Sequence, residues 1–196
     1  MNEFDTGLPS RKAAEELLKE AETHNIGLWS NHSRYVAICA QKIADACGMD
    51  SEKAYVLGLL HDIGRKFGTR HLGHVYDGYK YMLKLGYFQV ARICLTHSFG
   101  IKDMHSYIGN FDISLDEQKE LENELLTLEY DDYDKLIQLC DALGTADGVV
   151  EIELRMQDVK NRYGYYPHDK WDKNIELKEY FEKIANKNIY SIVFDS

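Results

Sequence analysis

Apolar residues along the chain recur mostly at intervals of three and four, the spacing of one buried helix face. Behind Ser10, a candidate cap, residues 11–22 carry Ala14, Leu17, Leu18 and Ala21 in this register. Val36, Cys39, Ala40, Ile43 and Ala44 repeat it, with Asn31 as the candidate cap and an end near Gly48. Asp50 or Ser51 then opens a short, strongly apolar helix through Ala54, Leu57, Leu60 and His61. Residues 64–73 hold three glycines and three basic residues and read as a loop. Further helices are predicted over 75–85, 87–97, 116–128, 133–143, 149–162 and 171–185. Residues 98–113 look irregular, 163–170 reads as an aromatic surface loop around Pro167, and 189–194 as a short strand or packed tail. The chain has only two prolines, so little interrupts helix. No repeat or linker divides it. The expected architecture is all-α, a helical bundle forming a single domain over 1–196.

Composition narrows the function. A chain of 196 residues that is 44% hydrophobic is long enough to bury a real core. Its formal net charge of −10 argues against a nucleic-acid polymer as partner, since phosphate backbones are bound by clustered Lys and Arg. A basic spot at Arg65, Lys66 and Arg70 can still draw in a small phosphorylated molecule. Cys39, Cys47, Cys94 and Cys140 sit among apolar neighbours without a Cys-x-x-Cys pair, as small core residues of a reduced compartment do. Residues 1–10 lack the apolar centre of a signal peptide, and no apolar run has membrane-spanning length. A cytoplasmic protein without membrane contact is expected, its oligomeric state left open.

Four polar residues break the apolar pattern. His61 lies four after Leu57 and seven after Ala54, so it shares their buried face, and Asp62 follows one residue on. His32 stands four before Val36, and Asp141 four after Ile137 within the apolar run 136–143. Singly, each reads as a hydrogen-bonded core histidine or a capping carboxylate. Jointly, two His and two Asp on inward faces of three helices make a mixed nitrogen and oxygen donor set for one divalent cation. A dry carboxylate beside an imidazole wants such a cation, because leaving it unpaired costs several kcal/mol.

The order His32 … His61-Asp62 … Asp141, with NHSRYVA at 31–37, GLLHDIGR at 58–65 and LCDALG at 139–144, resembles the HD superfamily of metal-dependent phosphohydrolases. The resemblance covers about 28–146, leaving 147–196 as a helical C-terminal extension, and implies a helical bundle with metal at its centre. HVYDG at 74–78 and RICLTHS at 92–98 resemble segments that supply a second metal in the binuclear, six-ligand branch, which implies His74 and His97 as further ligands. His71 is a rival to His74, and Ser98 stands where many relatives carry another His. Arg65 replaces the Glu that the single-metal branch places three residues after the motif Asp. It reads either as a surface arginine or as a planar clamp for phosphate.

The resemblance implies hydrolysis of a nucleotide or another small phosphate ester by metal-activated water. Asp62 would bridge two ions and Arg65 would neutralise a phosphoryl oxygen, with Lys66 and Arg70 as further substrate contacts. Such a donor set suits Fe or Mn and tolerates Zn, Co or Ni. Two other classes stay open: a diiron oxygenase of the same fold, and a non-catalytic nucleotide-binding sensor. Tyr35, Tyr76 and Tyr79 are candidate pocket walls or core aromatics; His24, His105 and His168 fall outside the pattern, and Asp103 and Asp147 read as surface or capping residues.

Overall fold

A computed structural model describes residues 7–194. Ten α-helices follow one another: α1 (Arg11–His24), α2 (Trp29–Ala46), α3 (Ser51–Leu60), α4 (Leu72–Lys84), α5 (Phe88–Thr96), α6 (Leu115–Thr127), α7 (Asp132–Leu143), α8 (Ile152–Tyr163), α9 (His168–Ala185) and α10 (Ile189–Val193). Short 3₁₀ turns at Ile63–Phe67 and Met104–Ser106 complete the regular structure. Among the described residues the only β pairing is an isolated bridge between Gly144 and Val149. The all-α expectation holds.

The caps explain several boundaries. Ser10 Oγ accepts from the Ala13 amide, and Asp50 accepts from Lys53 at 3.0 Å, as read from the sequence. Asn31 does not cap α2. That helix begins two residues earlier at Trp29, whose indole N–H donates back to the Asn25 carbonyl at 2.8 Å. The 64–73 segment is not all loop, because the 3₁₀ turn occupies its first part and α4 its end. α8 starts only at Ile152, after the Gly144–Val149 bridge, whereas α9 already begins behind Pro167, at His168. The 189–194 stretch is helical, with Asn188 accepting from the Tyr190 amide and Ile189, Ile192 and Val193 buried.

α3 is the centre of the bundle. Every residue from Ala54 to Leu60 is buried, so the helix has no polar face and must be covered on all sides. α2 crosses it most closely: a Cβ on Gly58 would lie 2.9 Å from the Ala37 Cα, which requires glycine there. α1, α5 and α7 cover other sides of α3. α5 is tied to α7 by the fully buried Asp134, which accepts from Arg92 Nε at 3.0 Å and Thr96 Oγ1 at 2.8 Å. α9 packs on α7, and α10 on α2; Leu177, Phe181 and Ile189 join the same core.

Gly64 sets how the 3₁₀ turn meets α4. A Cβ there would fall 2.0 Å from the His74 carbonyl oxygen and 2.5 Å from the Gly78 nitrogen, both backbone atoms that cannot rotate away. Gly64→Ala is therefore expected to destabilise by about 1–3 kcal/mol through overpacking, lowering the melting temperature by several degrees. A thermal melt that matches wild type would show the contact to be slack.

Candidate metal centre

The chain brings six candidate donors together from five places. His32 stands in the first turn of α2 and Asp141 in the last turn of α7; His61 and Asp62 join α3 to the 3₁₀ turn. His74 opens α4, and His97 directly follows α5. His61 is 1% exposed, and Asp62, His74 and His97 are each 4% exposed.

Asp62 lies between two groups of imidazoles. Its Oδ1 is 3.0 Å from His74 Nε2 and 3.5 Å from His97 Nε2, while its Oδ2 is 3.9 Å from His61 Nε2. Asp141 Oδ1 is 3.0 Å from His32 Nε2 and 3.7 Å from His61 Nε2. Potential donor atoms of His32, His61 and Asp62 lie within 4.8 Å of one another, as do those of Asp62, His74 and His97, so the two groups share Asp62.

The imidazole tautomers are set from behind. Nδ1 of His61 faces the Gly58 carbonyl at 2.7 Å, Nδ1 of His97 faces the Cys94 carbonyl at 2.9 Å, and Nδ1 of His74 faces the His71 carbonyl. A carbonyl only accepts, so each Nδ1 carries a proton and each ring, when neutral, points an Nε2 lone pair inward. His61 Nε2 is buried without any hydrogen-bond partner, and His74 Nε2 faces His97 Nε2 at 3.3 Å. Lone pairs converging on one carboxylate repel unless a cation lies among them. Donors at about 2.1 Å from a small divalent ion stand roughly 3–4 Å apart, as these do. The residues fit a divalent metal.

Electrostatics agree. Burial alone would raise the Asp62 carboxyl, but Arg65, His74 and His61 hold it well below the usual range. Burial likewise opposes ionisation of Asp141, and His32 and His61 outweigh it. Burial and then Arg65 lower the His74 imidazole to about 4, so a proton is a poor cation there. His61 is raised, because Asp62 and Asp141 overcome its burial. Arg65 Nε donates to Asp62 Oδ2, and its backbone carbonyl accepts from Asn25.

A cavity of about 510 Å³ opens over the cluster, lined by His32, Asp62, His74, His97 and Asp141 among others. Arg65 lines it; Lys66 and Arg70 do not. Lys66 pairs with Glu20 at 2.6 Å, and Arg70 with Asp77 and the Asp112 carbonyl. Consecutive side chains of a 3₁₀ turn diverge by about 120°, so Arg65 faces inward while Lys66 turns to α1. Lys66 and Arg70, expected among the substrate contacts, thus stand outside this cavity. Tyr35, Tyr76 and Tyr79 are not lining residues either. The His71 ring lies edge-on to Tyr163, away from the cluster, and its carbonyl orients His74. Asp103 caps the turn at His105.

The sequence reading missed the opposite wall. α8 supplies Arg155, Val159, Arg162 and Tyr163, and the loop after it Tyr166, so 163–170 is not merely surface. α9 supplies Lys170 and Asn174, which follow each other by one helical turn. The three- and four-residue spacing of Met156, Val159 and Tyr163 was the available signal for a face turned inward. Burial lowers the Lys170 ammonium to about 8, with Asp141 and Asp169 acting in the opposite sense.

An all-helical bundle with a buried His and Asp cluster under an open cavity defines a class of helical proteins with a candidate divalent-metal centre. Residues 29–146 match the HD domain, and the chain belongs to that family, whose members are mostly metal-dependent phosphohydrolases. No curated protein and no solved structure matches the chain. The family match ends before α8. No helix among the described residues is long and apolar enough to cross a membrane.

The lowered pKa of His74 has a measurable sign. The unfolded imidazole takes its proton near pH 6.5 and the folded one near 4. Stability of the metal-free protein should therefore be intact above pH 6.5 and fall as pH drops toward 4, by up to about 1.4 kcal/mol per pH unit. The contributions of the raised His61 and of the lowered Asp62 and Asp141 are both full in this window, the first being lost only as pH rises above 6.5 and the second only as pH falls below the ordinary carboxylate pKa of 3.8. Denaturant melts at pH 6.5 and 5.2 should show this slope, and His74→Gln should flatten it; an unchanged slope in that variant would refute the assignment.

Proposed function

We propose that the protein is a metal-dependent phosphohydrolase of the six-ligand HD branch, acting on a small phosphate ester or anhydride such as a nucleotide. The observation that carries this reading is the pair of donor groups sharing Asp62 beneath a cavity that holds Arg65. His32, His61, Asp62 and Asp141 would hold one ion; Asp62, His74 and His97 a second. Fe or Mn suits this nitrogen-rich set best, with Zn, Co or Ni tolerated. Bound there, divalent ions supply Lewis acidity, acidifying water and offsetting charge on phosphoryl oxygens.

The side chains do the rest. Asp62 would serve both ions, and Arg65, whose Nε donates to Asp62 Oδ2, would steady that carboxylate. The guanidinium has four further N–H donors for a phosphoryl oxygen, a planar match for that group. Cavity charge favours an anion: Arg65, Arg155, Arg162 and Lys170 face Asp62, Asp141 and Asp158, four cations against three acids on a chain of net charge −10. The four cysteines are unbridged, which suits a reducing compartment, and we place the protein in the cytoplasm.

Metal content separates the readings. After anaerobic purification with Fe or Mn supplied, metal analysis should approach two ions per chain, and His97→Ala should fall toward one. A wild-type value fixed at one, unmoved by that substitution, would remove the second ion and leave the first site standing. Asp62→Ala should lose metal and phosphatase activity together; retained activity contradicts the bridge. Arg65→Met should keep its metal while kcat/KM for phosphate esters drops roughly 10²-fold. Turnover that consumes oxygen and needs reduced iron would assign an oxygenase instead.

A further inference from the structure

Two side chains from other helices bond the turn around His97, and the hydrogen bonding of each is incomplete. Gln138, on α7 one turn before Asp141, is 4% exposed. Its Nε2 donates to the Thr96 carbonyl at 3.0 Å and the Phe99 carbonyl at 3.4 Å. Both partners are acceptors, so the amide orientation is settled and Oε1 faces the other way. That Oε1 is buried and has no partner, although Gln138 lines the cavity. Lys170 approaches the same turn from α9. Its Nζ donates to the Ser98 carbonyl at 2.8 Å and the Ser106 carbonyl at 3.4 Å, and it too lines the cavity. An ammonium has three protons, and two carbonyls leave one over.

Tying down a helix end would account for the satisfied bonds of both residues. It does not account for the remainder: a spare N–H on the α9 side and an orphaned buried acceptor on α7, both on residues that line the cavity over the His and Asp cluster. Leaving an amide oxygen dry costs about 1–3 kcal/mol, a cost a ligand donor removes. The two remaining groups are complementary in kind. A hydroxyl accepts one hydrogen bond and donates one, so it answers an N–H and a C=O placed together. A phosphoryl oxygen or a carboxylate answers only the first.

We propose that Lys170 and Gln138 form a subsite for the hydroxyl-bearing carbon skeleton of the substrate, making the ligand a phosphate ester of a sugar or polyol rather than of a bare alkyl or aryl alcohol. The inference rests on the phosphohydrolase reading for where the phosphate goes, at the metal cluster and Arg65. It goes beyond it in assigning the other end of the molecule. Tyr166 and Tyr163, on the same wall, offer ring faces to the C–H side of such a skeleton. Lys170, Tyr163 and Tyr166 all lie outside residues 29–146, so the extension would choose the substrate that the family core processes.

Binding tests this without requiring turnover. Calorimetry on the full Mn-loaded chain would compare ribose phosphate, adenosine monophosphate and phenyl phosphate, with inorganic phosphate as reference. At least one hydroxylated ester should bind roughly tenfold or more tighter than phenyl phosphate. Adenosine monophosphate above ribose phosphate identifies a nucleotide's ribose; the reverse identifies a free sugar phosphate. Gln138→Leu should erase most of that preference while inorganic phosphate affinity and metal content hold; Lys170→Gln should erase it too, while the lost charge weakens inorganic phosphate and all the esters alike. Each ratio is read on one sample, so partial loss of fold cancels, and the wild-type ratio needs no variant. Equal binding of phenyl phosphate and both hydroxylated esters, or an unchanged ratio in both variants, overturns the subsite. Preferential binding without hydrolysis leaves the subsite standing and defeats the hydrolase reading; hydrolysis without preference does the reverse.

Discussion

The Asp62 carboxylate, 4% exposed and ionised, is the constraint around which the rest is arranged. A charge taken that far from water needs partners at several kcal/mol each to persist. Arg65 provides one from three residues along the chain, and three imidazoles, when neutral, approach with their lone pairs rather than with protons. That is a poor way to stabilise an anion and a good way to assemble ligands. The supporting fold is correspondingly tight: Gly64 lets the 3₁₀ turn touch the His74 backbone, and Asp134 locks α5, which ends at His97, to α7, which carries Asp141.

Much of this was legible because it obeys local rules. Helices α1 to α7 follow the three- and four-residue spacing of their apolar faces, and the capping side chains of Ser10 and Asp50 mark two of their starts. The polar residues that interrupt those faces are the ones the structure gathers: His32, His61, Asp62 and Asp141. His74 and His97 needed the family resemblance, although His97 lies four residues after Ile93 and three after Cys94 on a buried face. What failed were inferences from neighbourhood in sequence. Lys66 is adjacent to Arg65 yet bonds Glu20 on α1, because one step of a 3₁₀ turn changes the face. Asn31 has a capping side chain, but Trp29 reaches Asn25 first and the helix begins there.

The C-terminal wall was illegible for a different reason. Arg155, Arg162 and Lys170 stand on helices rich in charge, where a basic residue reads as solvated. Only tertiary packing shows which of them look inward. Asp158 sits between the two arginines, bonded to Arg155 at 3.0 Å and to Arg162 at 3.0 Å, so their guanidinium groups are held in place without being fully neutralised. A charge held by a neighbour is oriented before a ligand arrives, which lowers the ordering cost of binding.

This division separates two problems that one protein must solve together. A metal cluster attracts any phosphate, so it confers reactivity without choice. Choice has to come from groups that touch the part of the substrate that does not react, and a site built to hydrogen-bond a hydroxyl rejects an analogue lacking it because its own polar atoms are then stranded. The donors that cluster around Asp62 come from the matched family segment, and the cations and aromatic rings opposite come mostly from beyond it. On the proposed phosphohydrolase reading the net charge of −10 sharpens the effect, since a locally cationic cavity on an anionic surface is where a phosphate would find its favourable field. Substrate range can then change by substitution in α8 and α9 without disturbing the six donors, as long as Lys170 continues to tie α9 to the turn behind His97.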